Sequence, residues 1–338
     1  MSANPVALPM ELLRQVSRSF YTTLRILPAA VRPQIGLAYL LARATDTIAD
    51  SALVSLEQRL GALRRLRERI GGLHQEPLEF GRFEPHQGSA AEKVLLERVE
   101  EILSILGRFS SDDQRVIREV LQTITSGQEL DLTRFAGASG ERIVALATDE
   151  ELDDYTYRVA GCVGQFWTRI CRTHLFPEAP VDESRLLADG ARFGKGLQLV
   201  NILRDLPEDL REGRCYLPAE RLDAAGLDAA SLLRPGIEPK FRPLYDAYLA
   251  LARAHLAAGW EYTNALPRSC IRVRLACAWP ILIGVRTLAR LATVNVLQTD
   301  DRIKISRAEV RNLVFRSVLY YPWPSRWRGL YDEAGARA

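Results

Sequence analysis

Asp46 and Asp50, and again Asp205 and Asp209, form two carboxylate pairs with a spacing of four residues. On a helix that spacing puts both members of a pair on one face. Each pair extends into a polar stripe. Tyr39 and Arg43 lead to Asp46 and Asp50 in steps of four, three and four, and Gln198 and Asn201 lead to Asp205 and Asp209 in steps of three, four and four. Arg204 lies beside the second stripe. The remaining circumference is apolar, with Leu40, Leu41, Ala44 and Ile48 around the first pair and Leu199, Val200, Ile202 and Leu203 around the second. A helix apolar nearly all round belongs in a protein interior, so its polar stripe must face a cavity or a ligand. Unpaired carboxylates there would cost several kcal/mol each, which calls for cationic compensation. A hard divalent ion supplies it, and magnesium suits best because it takes few carboxylates and fills its octahedron with water and phosphate oxygens. The histidines His74, His86, His174 and His255 are scattered, which disfavours zinc or iron. Arg43 and Arg204 could take phosphate oxygens in a bidentate fork. One Asp-x-x-x-Asp pair alone is commonly a solvated helix face. Two, each set in apolar helix, point to metal and phosphate.

The elements that must carry these stripes read as helices. Leu56–Leu66 repeats leucine at helical steps, and Val94–Leu106, Gln114–Ile124, Leu244–Leu256 and Ile281–Leu297 follow similar patterns. No alternating runs with hairpin turns occur, so strands should be few. Gly71–Ser89, Pro177–Val181 and Pro235–Pro243 read as breaks, and Pro207 should kink the end of the second acidic helix. The expected organisation is one all-α domain over residues 1–338, with 320–338 as a C-terminal tail.

Composition narrows the class. Among 338 residues, 47% are hydrophobic and 26% charged, and 45 basic residues nearly balance 42 acidic ones. That excludes a disordered chain and gives no footprint for nucleic acid. Five cysteines without a CxxC pair suit a reducing compartment. Met1–Arg14 lacks a secretory pattern, and the apolar run Leu275–Val285 falls well short of the roughly 20 residues of a membrane span. A cytoplasmic protein is expected. The tail Val318–Arg328 mixes aromatics with arginine, a pattern of interfacial anchors that fits peripheral membrane contact and fits a docked terminal segment equally well.

The chain resembles the squalene/phytoene synthase family of head-to-head prenyl transferases, and most nearly squalene synthase. The resemblance rests on Ser17-Arg18-Ser19-Phe20, on Tyr39 and Arg43 with Asp46–Asp50, on Tyr155–Gly164, and on Gln198–Asp209 running into Gly213–Pro218. It implies an isoprenoid-synthase helical bundle around a central cavity, with the acidic motifs facing each other across its mouth. It also implies prenyl diphosphate substrates and Mg2+, with Asp46, Asp50, Asp205 and Asp209 as metal ligands and catalytic residues. Tyr39, Arg43, Gln198, Asn201 and Arg204 would hold diphosphate, and Ser17 and Phe20 would lie beside the substrate. Tyr155 matches a tyrosine given a catalytic role, and Arg214 and Tyr216 match a flap over the metal site. Ionised diphosphate leaves an allylic cation that aromatic faces such as Phe20 and Tyr155 could stabilise in a dry cavity. Phe166 and Trp167 read first as core packing.

The late segment Asp301–Arg307 resembles the part of squalene synthases linked to the phosphate of NADPH, which implies Lys304 and Arg307 as cofactor-binding residues. Ser306 stands where a further base is usual. The expected reaction is therefore condensation of two farnesyl diphosphates through presqualene diphosphate to squalene. The alternative is phytoene, dehydrosqualene or presqualene diphosphate synthesis without reduction. A metal-dependent phosphohydrolase or a non-catalytic helical subunit would leave the apolar setting of both stripes unexplained.

Overall fold

The computed structural model describes residues 7–17, 20–51, 54–80, 90–298 and 303–336. The expected all-α class holds among them. The first helices in chain order are α1 (Met10–Ser17), α2 (Phe20–Ile26), α3 (Arg32–Ala49) and α4 (Leu56–Gly71). They are followed by α5 (Ala90–Glu97), α6 (Val99–Leu106) and α7 (Ser111–Arg134). Then come β1 (Val144–Ala145), α8 (Asp149–Thr156), a π-helical turn (Tyr157–Gly161), α9 (Cys162–Leu175) and α10 (Glu183–Arg211). The rest is β2 (Arg214–Cys215), α11 (Ala219–Ala224), α12 (Glu238–Ala265), α13 (Ile271–Leu291), α14 (Arg307–Tyr320) and α15 (Pro324–Ala336). The chain groups into two compact units, one of Met1–Thr133 with Phe166–Ala179 and the other of Arg134–Gln165 with Pro180–Ala338.

In the first unit α3 packs against α4, α5 and α6. Proline in its first turn has its φ already set for a helix start. Leu37, Leu40, Leu41 and Ile48 are all fully buried. Each such side chain contributes about 2 kcal/mol, which fixes the rotation of α3 and hence the direction of its polar stripe. The neighbouring α4 starts at a Ser55/Gln58 capping box and stops at Gly72, whose φ of 81° suits glycine.

In the second unit α10 packs against the π-turn, α12 and α13. The approach of the π-turn and the start of α9 requires glycine. A Cβ on Gly164 would lie 1.8 Å from the carbonyl oxygen of Gly190, and one on Gly194 would lie 2.1 Å from that of Ala160. The two-residue strands pair in parallel, Val144 with Arg214 and Ala145 with Cys215.

Three boundaries differ from the sequence-based expectation. Val94–Leu106 is not one helix: α5 and α6 are separated at Arg98, whose φ of −101° and ψ of 15° leave the helical region. Ile281–Leu297 is helical only to Leu291. The break at Pro235–Pro243 is shorter than expected, because α12 opens at Glu238 with proline in its first turn and carries Pro243 inside it. Pro207 removes the bond that its N–H would give to Leu203, yet α10 continues to Arg211. The buried Tyr245 hydroxyl donates to the Leu203 carbonyl oxygen at 3.0 Å instead.

Candidate active site

The stripe on α3 gathers partners from two other helices of its unit. Arg43 donates to Glu92 of α5 and lies 3.7 Å from Asp46. Gln128 of α7 donates to Asp46 Oδ1 at 2.5 Å. Burial, followed by repulsion from Asp50, raises the Asp46 pKa to about 7, against the opposing Arg43 charge and the Gln128 hydrogen bond. The carboxyl is recessed and not sealed, since 44% of the side chain is accessible. Water therefore tempers the burial, and the Asp50 charge keeps the direction upward. Asp50 is exposed and caps α3, its N–H bonding the Asp46 carbonyl oxygen. Tyr39 stacks on Phe20 at 5.0 Å and donates to the Val16 carbonyl oxygen at 3.2 Å. Ser17 is buried and its hydroxyl is turned into its own helix, donating to Leu13 at 2.5 Å. Arg18 and Ser19 of the same motif, and Asp301 and Arg302 of the late one, lie outside the described residues.

The α10 stripe is arranged differently. Arg204 holds Asp205 in a bidentate fork with both distances at 2.7 Å. Asp209 is left with the larger share of uncompensated charge. Burial first, then Asp205, raises its pKa to about 7, while Arg214 on β2 opposes them. Gly213, at φ +85° and packed against Ser139, makes the turn that delivers Arg214 there. One turn back, Asn201 donates to Gln198 at 3.4 Å and Gln198 to the Tyr155 hydroxyl at 3.5 Å. Tyr155 stacks on Tyr216 with centroids 4.7 Å apart, and Phe135 meets the edge of Tyr216. Tyr155 and Tyr216 are both buried, which fixes the ring pair. Tyr155 lies in the last turn of α8, just before the π-turn, an irregularity that recurs at functional sites.

The donor set fits a divalent cation. Two carboxylates whose charged form is disfavoured by burial and by a neighbouring carboxylate would each be relieved by one. Among the described residues no group of three or more His, Cys, Asp or Glu closes around a point, so each pair would bind with water or phosphate completing the shell. Lys304 and Arg307 are exposed at the start of α14. Ser306, between them, caps that helix in a box with Glu309. Both cations suit a phosphate, and the position where a third is usual serves the helix end. Phe166 is core, at 3% exposure. A groove of about 560 Å3 lined by Arg185, Arg192, Trp260 and Tyr331 holds none of the stripe residues.

Glu92 and Gln128 were not apparent from the motifs. Extending the α5 periodicity two residues upstream of Val94 places Glu92 on the buried face with Leu95 and Leu96. Gln128 sits one turn from Leu132 and Ile124 on the buried face of α7.

Each stripe, a carboxylate pair beside an arginine, has the donor chemistry to take a hard cation and a polyanion. The squalene/phytoene synthase family profile matches residues 13–309, and the chain belongs to that family of prenyl transferases, whose substrates are prenyl diphosphates. Over 255 residues it is 32% identical to the presqualene diphosphate synthase of Sinorhizobium fredii, covering 75% of this chain and 77% of the relative. It is 25% identical to the squalene synthase of Saccharomyces cerevisiae over 91% of this chain, and it spans 66% of that protein's length. A solved ligand complex of TcSQS shares the fold, with a TM-score of 0.75 at 23% identity and 96% of each chain covered. The isoprenoid-synthase fold is thereby established. No helix among the described residues is long and apolar enough to cross a membrane.

Proposed function

We propose that the protein is a squalene synthase, joining two farnesyl diphosphates through presqualene diphosphate and reducing the product with NADPH. The observation that carries the diphosphate chemistry is the pair of recessed carboxylates, Asp46 and Asp209, each pushed up to about 7 beside a second aspartate and an arginine. Support for squalene as product comes from extent: the yeast squalene synthase aligns with 91% of this chain, the Sinorhizobium enzyme with 75%.

Asp46 and Asp50 on α3, and Asp205 and Asp209 on α10, would hold magnesium. Bound there, it supplies positive charge against the departing diphosphate. Arg43 is aimed by Glu92 and Arg204 by Asp205, so both guanidiniums are oriented before substrate arrives, the preorganisation that electrostatic catalysis needs. Gln198 and Asn201 present amide groups one turn from the carboxylates and orient diphosphate oxygens. The stacked Tyr155 and Tyr216 offer aromatic faces to an allylic cation without a nucleophile that would trap it. The Tyr155 hydroxyl, which accepts from Gln198, would relay the proton lost on cyclopropyl closure by passing its own to released diphosphate, or that diphosphate would accept the proton directly. Ser17 and Phe20 line the prenyl chain. Lys304 and Arg307 would hold the NADPH phosphate.

Presqualene diphosphate synthesis is the second reading, favoured by Ser306, whose hydroxyl is engaged in the helix cap instead of adding a base. Incubation with farnesyl diphosphate and Mg2+, with and without NADPH, and mass spectrometry of the products separates the two. Squalene formed only with NADPH is expected. Presqualene diphosphate as the sole product in both cases overturns the squalene reading.

A further inference from the structure

Helix α14 is covered on one side only. Ser317 is fully buried and accepts the indole N–H of Trp279 at 2.9 Å, while Trp327 and Leu330 of α15 lie buried after the following turn. The helical position opposite Ser317 carries Arg311, Phe315, Val318 and Leu319, and Trp323 follows just past the helix end. Phe315 is 65% exposed, Val318 51%, Leu319 45% and Trp323 51%. Single exposed apolar residues are ordinary, but several grouped on one helix face mark an interaction surface. The corner between α12 and α13 joins it. Tyr321 donates to the Arg268 carbonyl oxygen at 2.6 Å, and Arg268 donates to that of Pro322 at 3.4 Å, which brings the exposed Ile271 and Arg272 alongside.

The charge on this surface has one sign. Residues 310–328 contain four arginines and no Asp or Glu, and residues 266–275 contain three arginines and no acid. Arg316 is paired with Glu333 and Arg274 is buried over the Tyr321 and Trp327 rings, leaving Arg268, Arg272, Arg311, Arg326 and Arg328 exposed. Arg326 lies 5.8 Å from the Tyr320 ring and 5.9 Å from that of Trp323, so cation and aromatic are presented together. A second copy seated on this face would bring arginines against arginines.

We propose that this face docks on an anionic phospholipid bilayer, with Phe315, Leu319 and Trp323 at the boundary between headgroups and acyl chains and the exposed arginines on lipid phosphates. Apolar anchors and basic side chains each supply a part of such binding, and the two together give stable attachment where one alone is marginal. In the tail, α15 is docked through Trp327 and Leu330, and the face before it is open.

The test is flotation of the full-length protein with vesicles of phosphatidylcholine alone or with about a third phosphatidylglycerol, at low and high salt. Wild type is expected to float with the anionic vesicles at low salt and to be released by high salt. Phe315→Ser combined with Trp323→Ser should lower partitioning about tenfold, and Arg311→Glu combined with Arg326→Glu should lower it by a similar factor and erase the lipid preference. Both variants replace exposed side chains, so unchanged melting temperature and unchanged turnover in solution are expected. A second readout needs no loss of binding. Brominated acyl chains should quench wild-type tryptophan fluorescence, and Trp323→Phe should remove that quenching. Failure of wild type to float with anionic vesicles, an apolar double variant that floats like wild type, or a concentration-dependent dimer abolished by Phe315→Ser overturns the proposal.

Discussion

The hydroxyl of Tyr245 occupies the place that the missing N–H of Pro207 leaves at the Leu203 carbonyl, at 3.0 Å. Pro207 lies between the two aspartates of the α10 stripe in sequence, and the bond keeps the helix satisfied where proline would otherwise expose a buried acceptor. Tyr245→Phe should therefore cost about 1–3 kcal/mol. In a Pro207→Ala background, where a backbone N–H returns to position 207, the same change should cost far less. Chemical denaturation of the four proteins of this cycle measures the coupling.

The glycines at the close approaches of α9 and α10 make a second prediction. Gly164→Ala and Gly194→Ala set a methyl group within 1.8 and 2.1 Å of backbone carbonyl oxygens, so the helices must separate. Each should lower stability by about 3 kcal/mol or more and disturb the meeting of Tyr155 with Gln198. Gly61→Ala, in α4 with nothing within 4 Å, should instead stabilise by about 1 kcal/mol. Thermal melts of the three variants check the contrast.

The recessed carboxylates give the protein a pH signature. Asp46 and Asp209 each lie at about 7 in the fold against an ordinary 3.8. Their folded forms bind protons more tightly, so the stabilisation is present below 3.8 and is lost as pH rises through about 7. The metal-free melting temperature should fall across that window, and Asp209→Asn should flatten the fall. Magnesium binding needs the ionised form, so stabilisation by added Mg2+ should grow over the same interval. Differential scanning calorimetry with and without Mg2+ measures both slopes.

Gln128 and Glu92 set the state of the α3 stripe without being part of either acidic motif. Gln128 favours ionised Asp46, so Gln128→Leu should move the acidic limb of the pH–rate profile upward and leave the rate at high pH nearly intact. Glu92→Gln removes the charge that aims Arg43, so KM for the diphosphate substrate should rise several-fold while folding survives. Steady-state kinetics across pH distinguishes the two.

The polar stripes were legible because side-chain spacing alone puts Asp46 with Arg43 and Asp205 with Gln198 on common faces, and the apolar remainder says that the rest of each helix is packed inside. The all-α class followed from the same periodicity. What escaped depends on contacts distant in sequence. Glu92 and Gln128 meet Arg43 and Asp46 only after α5 and α7 pack. The pairing of Val144 with Arg214 is too short to show alternation, and Tyr245 lies 42 residues from the carbonyl it caps. Pro243 reads as a stop from sequence because proline blocks a helix interior, yet early in α12 it removes a single bond. Ser306 is a helix cap, a role that the Ser-x-x-Glu pattern with Glu309 already encodes.

The most direct test is diphosphate release from farnesyl diphosphate by wild type, Asp46→Asn and Asp209→Asn, each first shown to be folded by its melting curve. Loss of about a hundredfold or more in the first-turnover rate of both variants is the expected result, since each neutralises one proposed metal ligand. Folded variants that release diphosphate within a few-fold of wild type contradict it.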